Sequence, residues 1–208
     1  MKTHLLLIGF SCTGKTYLGK KAFGEDTVTD SDDEVRKWVE NKENQRFDHV
    51  YEIFMRLGRQ RALSLIGEAE KALIDAWADD TNQKVISLGP GFPLHENWGR
   101  LRANSQVVLL RKSPDGIYEG MRARREKIFE CCPEAKRHDN WDIGVMVGED
   151  GKEFPKEVAV SNIENLLNER EIFYKHDAKI ITDNYDALDK LIELKNAFCS
   201  ERSIEKRS

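Results

Sequence analysis

The 208-residue chain has only four cysteines, and Cys12, Cys131, Cys132 and Cys199 include no CxxC pair of the kind that holds zinc. Two are adjacent, which suits a disulfide framework poorly, so reduced thiols are expected. Long apolar runs are also missing. Residues 5–8 form the longest near the start, far short of the ~20 residues of a membrane span and shorter than the apolar part of a signal peptide. A cytoplasmic protein with no membrane partner is expected. No long stretch is strongly basic, and 33 Lys and Arg against 37 Asp and Glu give a formal net charge of −4, which argues against nucleic acid as the main ligand. No internal repeat or low-complexity tract is visible.

What is present is a succession of short apolar runs alternating with longer stretches at helical spacing, the pattern of an α/β parallel sheet. Residues 5–8, 27–29, 85–88, 107–110 and 179–182 read as its strands, the first fully buried. Residues 16–22, 50–77, 117–128 and 185–198 read as helices, with 50–77 long enough for one helix or two. Residues 130–155 keep no period and contain Cys131-Cys132-Pro133, Arg137 to Asn140 and Trp141; they read as a loop-rich excursion able to close over a site. The spacing around His138, Trp141 and the cysteine pair matches no metal site. The organisation expected is one domain over 1–200 with a lid insertion at about 120–156, followed by a charged tail, 201–208, that frays.

Gly9-Phe10-Ser11-Cys12-Thr13-Gly14-Lys15-Thr16 matches GxxxxGK[ST] in full, after a buried strand and before a helix. In such a loop the backbone N–H groups point inward at phosphate oxygens, and the helix that follows adds its positive end. Lys15 would bridge the β- and γ-phosphates of ATP and the Thr16 hydroxyl would ligate Mg²⁺. Asp30-Ser31-Asp32-Asp33-Glu34 follows the second strand, at the sheet edge where open α/β folds bind ligands. One of Asp30 and Asp32 can hold Mg²⁺ through its water shell, and the other can take the hydroxyl proton of a phosphate acceptor. The competing explanation is that these acids cap a helix beginning near Glu34.

Together the 9–16 loop, Asp30-Ser31-Asp32 and Ser87-Leu88-Gly89-Pro90-Gly91 resemble the shikimate kinases of the nucleoside-monophosphate-kinase-like superfamily. Val107 to Leu110 leading to Arg122, Arg124 and Arg125 looks like the strand and lid-arginine region of that family, and Arg170 to Tyr174 like its RxxxY segment. The resemblance implies a P-loop NTPase fold, three layers around a five-stranded parallel sheet, MgATP as donor, and transfer to the 3-hydroxyl of shikimate. It places Asp32 on the acceptor hydroxyl, Asp30 near the metal and Arg170 on the acceptor's carboxylate. A second acceptor-binding arginine is expected after the carboxylates, where Arg56, Arg59 and Arg61 compete, with Arg56 and Arg61 taken forward. Gly89 and Gly91 are expected beside the acceptor, although Pro90 between them departs from the family's triple glycine and removes an N–H.

A lid arginine would stabilise charge on the migrating phosphoryl group. Arg122 and Arg125 are carried forward as catalytic, with Arg122 also on the nucleotide, and Arg124 stays open. Each could instead sit on a solvated helix face with Glu119 or Glu126. A monomeric kinase for a small hydroxylated acceptor, shikimate first, is therefore the leading expectation. Another polyol, sugar acid or nucleoside acceptor, or a nucleotide-binding regulatory module without chemistry, are the alternatives.

Overall fold

The computed structural model describes residues 4–138, 142–178, 180–183 and 186–205, of which the side chains of 136–138, 177 and 198–205 are left aside. Asp139, Asn140, Trp141, Lys179, Tyr185 and the tail from 206, all named above, lie outside the described residues.

Five strands form one parallel sheet: β1 (His4–Ile8), β2 (Val28–Asp30), β3 (Lys84–Ser87), β4 (Ser105–Arg111) and β5 (Ile180–Asp183), in the spatial order β2-β3-β1-β4-β5. Every residue of β1 is buried, as a central strand covered on both faces requires. The order places the end of β1 between β3 and β4, the switch point where the chain leaves in opposite directions and a crevice opens. The glycine loop occupies that crevice.

Helices α1 (Lys15–Phe23) and α8 (Ala187–Glu205) cover one face, packing Leu18, Ala22, Phe23 and Leu191 on Leu5, Leu7, Val108 and Leu110. On the other face α2 (Ser31–Glu43), α3 (Val50–Leu57), α4 (Arg59–Asp79) and α5 (Trp98–Ala103) bury Leu6, Ile8, Ile86 and Leu109 beneath Val39, Ile53, Leu65, Trp77 and Leu101. Alternate β1 residues therefore serve opposite cores, the two-faced burial that makes this a three-layer sandwich. Tyr174 of α7 (Lys156–Asp177) joins the second core. A third cluster sits at the site: Phe10 of the loop packs with Ile117 and Met121 of α6 (Pro114–Cys131), Met146, and Ala159 and Ile163 of α7. Truncating Phe10 would therefore unseat the loop itself, at a cost of about 3–5 kcal/mol for a buried aromatic.

Several boundaries differ from the sequence expectation. The 50–77 segment is two helices, because Gly58 takes φ 75° and breaks the run. The helix expected near Glu34 starts at Ser31, and Asp30 caps it by accepting from the Asp32 N–H at 3.0 Å. Helices α5 and α7 were not expected. In α7, Ile172 and Phe173 point outward and blur the apolar period that Ala159, Ile163 and Tyr174 follow. The 130–155 excursion is more ordered than a loop: a 3₁₀ turn over Pro133–His138 and bridges from Val147 to Ile143 and Glu153 pack buried Ala135, Met146 and Val147. α8 continues through Glu205, into the segment expected to fray. Cys12, Cys131 and Cys132 are free thiols, and no helix among the described residues is long and apolar enough to cross a membrane.

Candidate active site

The loop from Gly9 to Gly14 turns the chain from β1 into α1, and its geometry explains its residues. A β-carbon on Gly9, φ 143°, would stand 2.4 Å from the Leu110 carbonyl oxygen, and Gly14 takes φ 87° just before the helix. Cys12 shares the left-handed region at φ 61°. Among the described residues, none of the N–H groups of Ser11, Cys12, Thr13 and Gly14 donates to a main-chain carbonyl, so the donors of the turn remain for an anion at the α1 N-terminus. The Thr13 hydroxyl is turned the other way, donating to the Phe10 carbonyl at 2.9 Å. Lys15 is buried with its ammonium on the carbonyls of Gly9 and Phe10, at 3.0 and 2.8 Å. Burial pushes its pKa down to about 8, against the pull of Asp32. Such a poorly compensated cation is the electrostatic complement of a phosphate. Cys12 stays a neutral thiol, since burial pushes its pKa up.

The carboxylates meet the loop at one point. Thr16 donates its hydroxyl to Asp30 Oδ2 at 2.7 Å and lies 2.8 Å from the Ser87 hydroxyl at the end of β3. This all-oxygen set suits Mg²⁺, which keeps most of its own waters and takes one or two protein oxygens. Asp32 opens on the same cleft. Although Asp32 keeps contact with solvent, the protein mass around its carboxyl, and next the Asp30 charge, push it up to about 6. Gly89 donates its N–H to the Ser31 hydroxyl at 2.8 Å, tying the β3 turn to the start of α2. The cleft, about 200 Å³, is lined by Ser11, Cys12, Gly14, Lys15, Thr16, Asp30, Asp32, Ser87, Gly89, Pro90 and Arg124. A larger cavity of about 810 Å³ lies between Phe10, the end of β4 and α7, and holds neither Lys15 nor the carboxylates.

The arginines sort differently from expectation. Arg122 lies on the outer face of α6, where it pairs with Glu119 and Glu126 at 3.7 and 3.3 Å. Arg125 is buried against Phe129 and pairs with Glu153 at 3.0 Å, fastening the 142–155 segment to α6. Arg124, which stayed open, is the one that reaches the cleft. It is braced on both carboxylate oxygens of Asp142, at 3.1 and 3.3 Å; burial works to lower its pKa, but the Asp142 carboxylate outweighs it and holds the pKa above the ordinary arginine value. Arg56 and Arg61 are not brought to the cleft. Arg56 pairs with Glu52 over the Phe47 ring and Arg61 with Glu43 at 2.6 Å, both half-exposed, while Arg59 is exposed.

Arg170 stands over the Phe10 ring and beside the Tyr174 hydroxyl, which donates to the carbonyl of Pro90, a residue of the cleft, at 2.9 Å. Gly91 closes the turn, and a β-carbon there would meet Glu70 Oε2 at 2.6 Å. Sequence reasoning missed Glu70, His95, Ser87 and Asp142. Only Ser87 carried a signal, as a polar residue ending an apolar strand. Among the described residues no cluster of three or more His, Cys, Asp or Glu side chains could hold a metal; Thr16 and Asp30 are side-chain oxygens that stand together in the cleft.

No model of a known protein family matches the chain, and no curated protein matches it in sequence. Solved structures do. The shikimate kinase from Bacteroides thetaiotaomicron superposes with a TM-score of 0.60 at 21% identity, covering 93% of this chain and 98% of that one. The shikimate kinase from Acinetobacter baumannii, solved in complex with shikimate, superposes with a TM-score of 0.62 at 18% identity, covering 97% and 95%. The two alignments span nearly the whole of every chain involved, so the parallel sheet, its flanking helices and the glycine loop together make this a protein with the P-loop fold of the shikimate kinases.

Proposed function

We propose that the protein is an ATP-dependent kinase that transfers the γ-phosphoryl group to a hydroxyl of a small molecule. One observation carries this reading: the unpaired loop amides, Lys15 and Asp32 converge on a single cleft. The amides and Lys15 bind and orient the β- and γ-phosphates, so the transferring group is presented in line with the Asp32 side of the cleft. Asp32 orients the acceptor hydroxyl and receives its proton. Thr16 and Asp30 would hold Mg²⁺, which when bound would neutralise charge on the phosphate oxygens. Arg124, kept in place by Asp142, faces the charge that builds up during transfer. The sequence resemblance names shikimate as acceptor; Asp32 lines the cleft, while Arg170 stands outside its lining, over the Phe10 ring. The expected helix arginine is turned away, which favours the alternative of another hydroxylated acceptor.

The direct test is calorimetric titration of the purified protein with MgATP, followed by ADP release on adding shikimate and other hydroxyl compounds. Absence of ATP binding would rule out the kinase reading; binding without shikimate turnover would rule out only that acceptor. Two further results are expected. Because the Asp32 carboxyl titrates at about 6, and only its ionised form accepts a proton, acceptor kcat/KM should rise with pH up to about 6 and level off above it. A profile flat from pH 5 to 7.5 would remove Asp32 from the base role. Arg124→Ala should lower kcat by roughly a hundredfold, whereas Arg122→Ala should change it less than about twofold; equal losses would show that the wrong arginine has been assigned.

A further inference from the structure

The acceptor end of the cleft is built unlike a carboxylate-binding pocket. A β-carbon placed on Gly89 would stand 3.4 Å from Asp32 Oδ1 and 3.6 Å from Glu70 Oε1, so two carboxylate oxygens flank this glycine within 7.0 Å of each other. Glu70 is fixed from behind: its Oε2 lies 2.6 Å from His95 Nε2, and both side chains are largely buried. Oε1 has no hydrogen-bond donor among the described residues, and it lies over the Gly89-Pro90-Gly91 turn, 2.8 Å from where a Gly91 β-carbon would be. One turn before Glu70, the α4 position facing His95 is Gly67, whose β-carbon would lie 4.0 Å from His95 Cε1. The α4 cations Arg61 and Lys71 pair with Glu43 and Glu96. Arg170 is already engaged with the Phe10 ring and the Tyr174 hydroxyl.

We propose that Glu70, positioned by His95, is the residue that selects the acceptor, and that the acceptor is a neutral polyol of the sugar or sugar-alcohol class. One hydroxyl donates to Asp32 and is phosphorylated, while a neighbouring hydroxyl donates to Glu70 Oε1. A largely buried carboxylate with one oxygen open to the cleft side rewards a ligand that supplies a donor and rejects one that brings a second negative charge. A compound with a carboxylate beside its reacting hydroxyl would set that charge against Glu70. The inference rests on the kinase reading, and adds to it the class of molecule that Asp32 addresses.

The test uses the full chain with MgATP and two sets of acceptors: glycerol, erythritol, ribose, glucose and myo-inositol as neutral polyols, and shikimate, quinate, glycerate and gluconate as carboxylates, with glucosamine as a cationic arm. Turnover is read as ADP release. Binding to the ADP-loaded protein is read independently by saturation-transfer NMR. The expected result is that a neutral polyol gives the highest kcat/KM, at least tenfold above every carboxylate. Glu70→Ala should raise its KM at least tenfold, and Glu70→Gln, which adds a donor, should narrow the preference over carboxylates by about tenfold. Unchanged ATP affinity of the variants confirms that they fold. Preference for a carboxylate or for glucosamine, polyol binding insensitive to Glu70→Ala, or no polyol binding by either readout would overturn the proposal. ATP binding in the parent protein separates these failures from failure of the kinase reading.

Discussion

Replacing Lys15 by alanine is expected to lower kcat/KM roughly a thousandfold or more and to weaken ATP binding at least tenfold. The reason lies in how the side chain is held. Its ammonium is buried, rests on two carbonyl oxygens and has its pKa pushed down to about 8, so the surrounding protein stabilises the charge poorly and a phosphate would stabilise it well. The loop amides remain in the variant and keep residual affinity. Calorimetric titration with MgATP and steady-state kinetics measure the two losses. Turnover equal to that of the parent protein would contradict the assignment of this loop as the phosphate site.

Asp32→Asn should act on a different step. The amide keeps the shape and a hydrogen bond to the acceptor hydroxyl but cannot take its proton, so kcat should fall by about a hundred- to ten-thousandfold while the ATP dissociation constant stays within about twofold. The same substitution should change stability in the opposite sense. A carboxyl whose folded pKa, about 6, stands above its unfolded value of 3.8 adds stability when protonated and loses that contribution as pH rises through 6. The asparagine variant should therefore melt higher than the parent at pH 8, and the gain should fade as pH falls toward 4. A lower melting temperature at pH 8 would mean that Asp32 is stabilised in the folded cleft, and with it the electrostatic account of the site would fail.

The glycine loop was legible because its chemistry is local. Gly9 and Gly14 adopt backbone angles that few other residues reach, Lys15 folds back on carbonyls five and six residues away, and all of it lies within eight consecutive positions. Asp30 and Asp32 were legible for a related reason, being at the end of a strand where the chain enters a helix. The capping explanation holds for Asp30, which caps α2 with one oxygen and accepts from Thr16 with the other.

The arginines were not legible in the same way. Neighbouring helical residues point about 100° apart, so Arg124 and Arg125 face different surroundings, and only the packing of α6 against Phe10 and the 142–155 segment decides which looks into the cleft. Arg56 and Arg61 stand on either side of the Gly58 break and turn to Glu52 and Glu43. Glu70 and His95, 25 residues apart, carried no pattern at all, because α4 and the turn after β3 meet only in the folded chain.

By itself the sequence determined that a buried strand runs into a glycine-rich turn with the P-loop pattern, that acids follow the second strand, and that the sheet is parallel, since these depend on backbone conformation and apolar runs within short windows. The tertiary structure decided which arginine of α6 faces the cleft and what surrounds the Gly89–Gly91 turn. Those depend on side chains from α4, α6 and the segments after β3 and α6, whose distances are set by how helices pack on the sheet and not by their spacing along the chain.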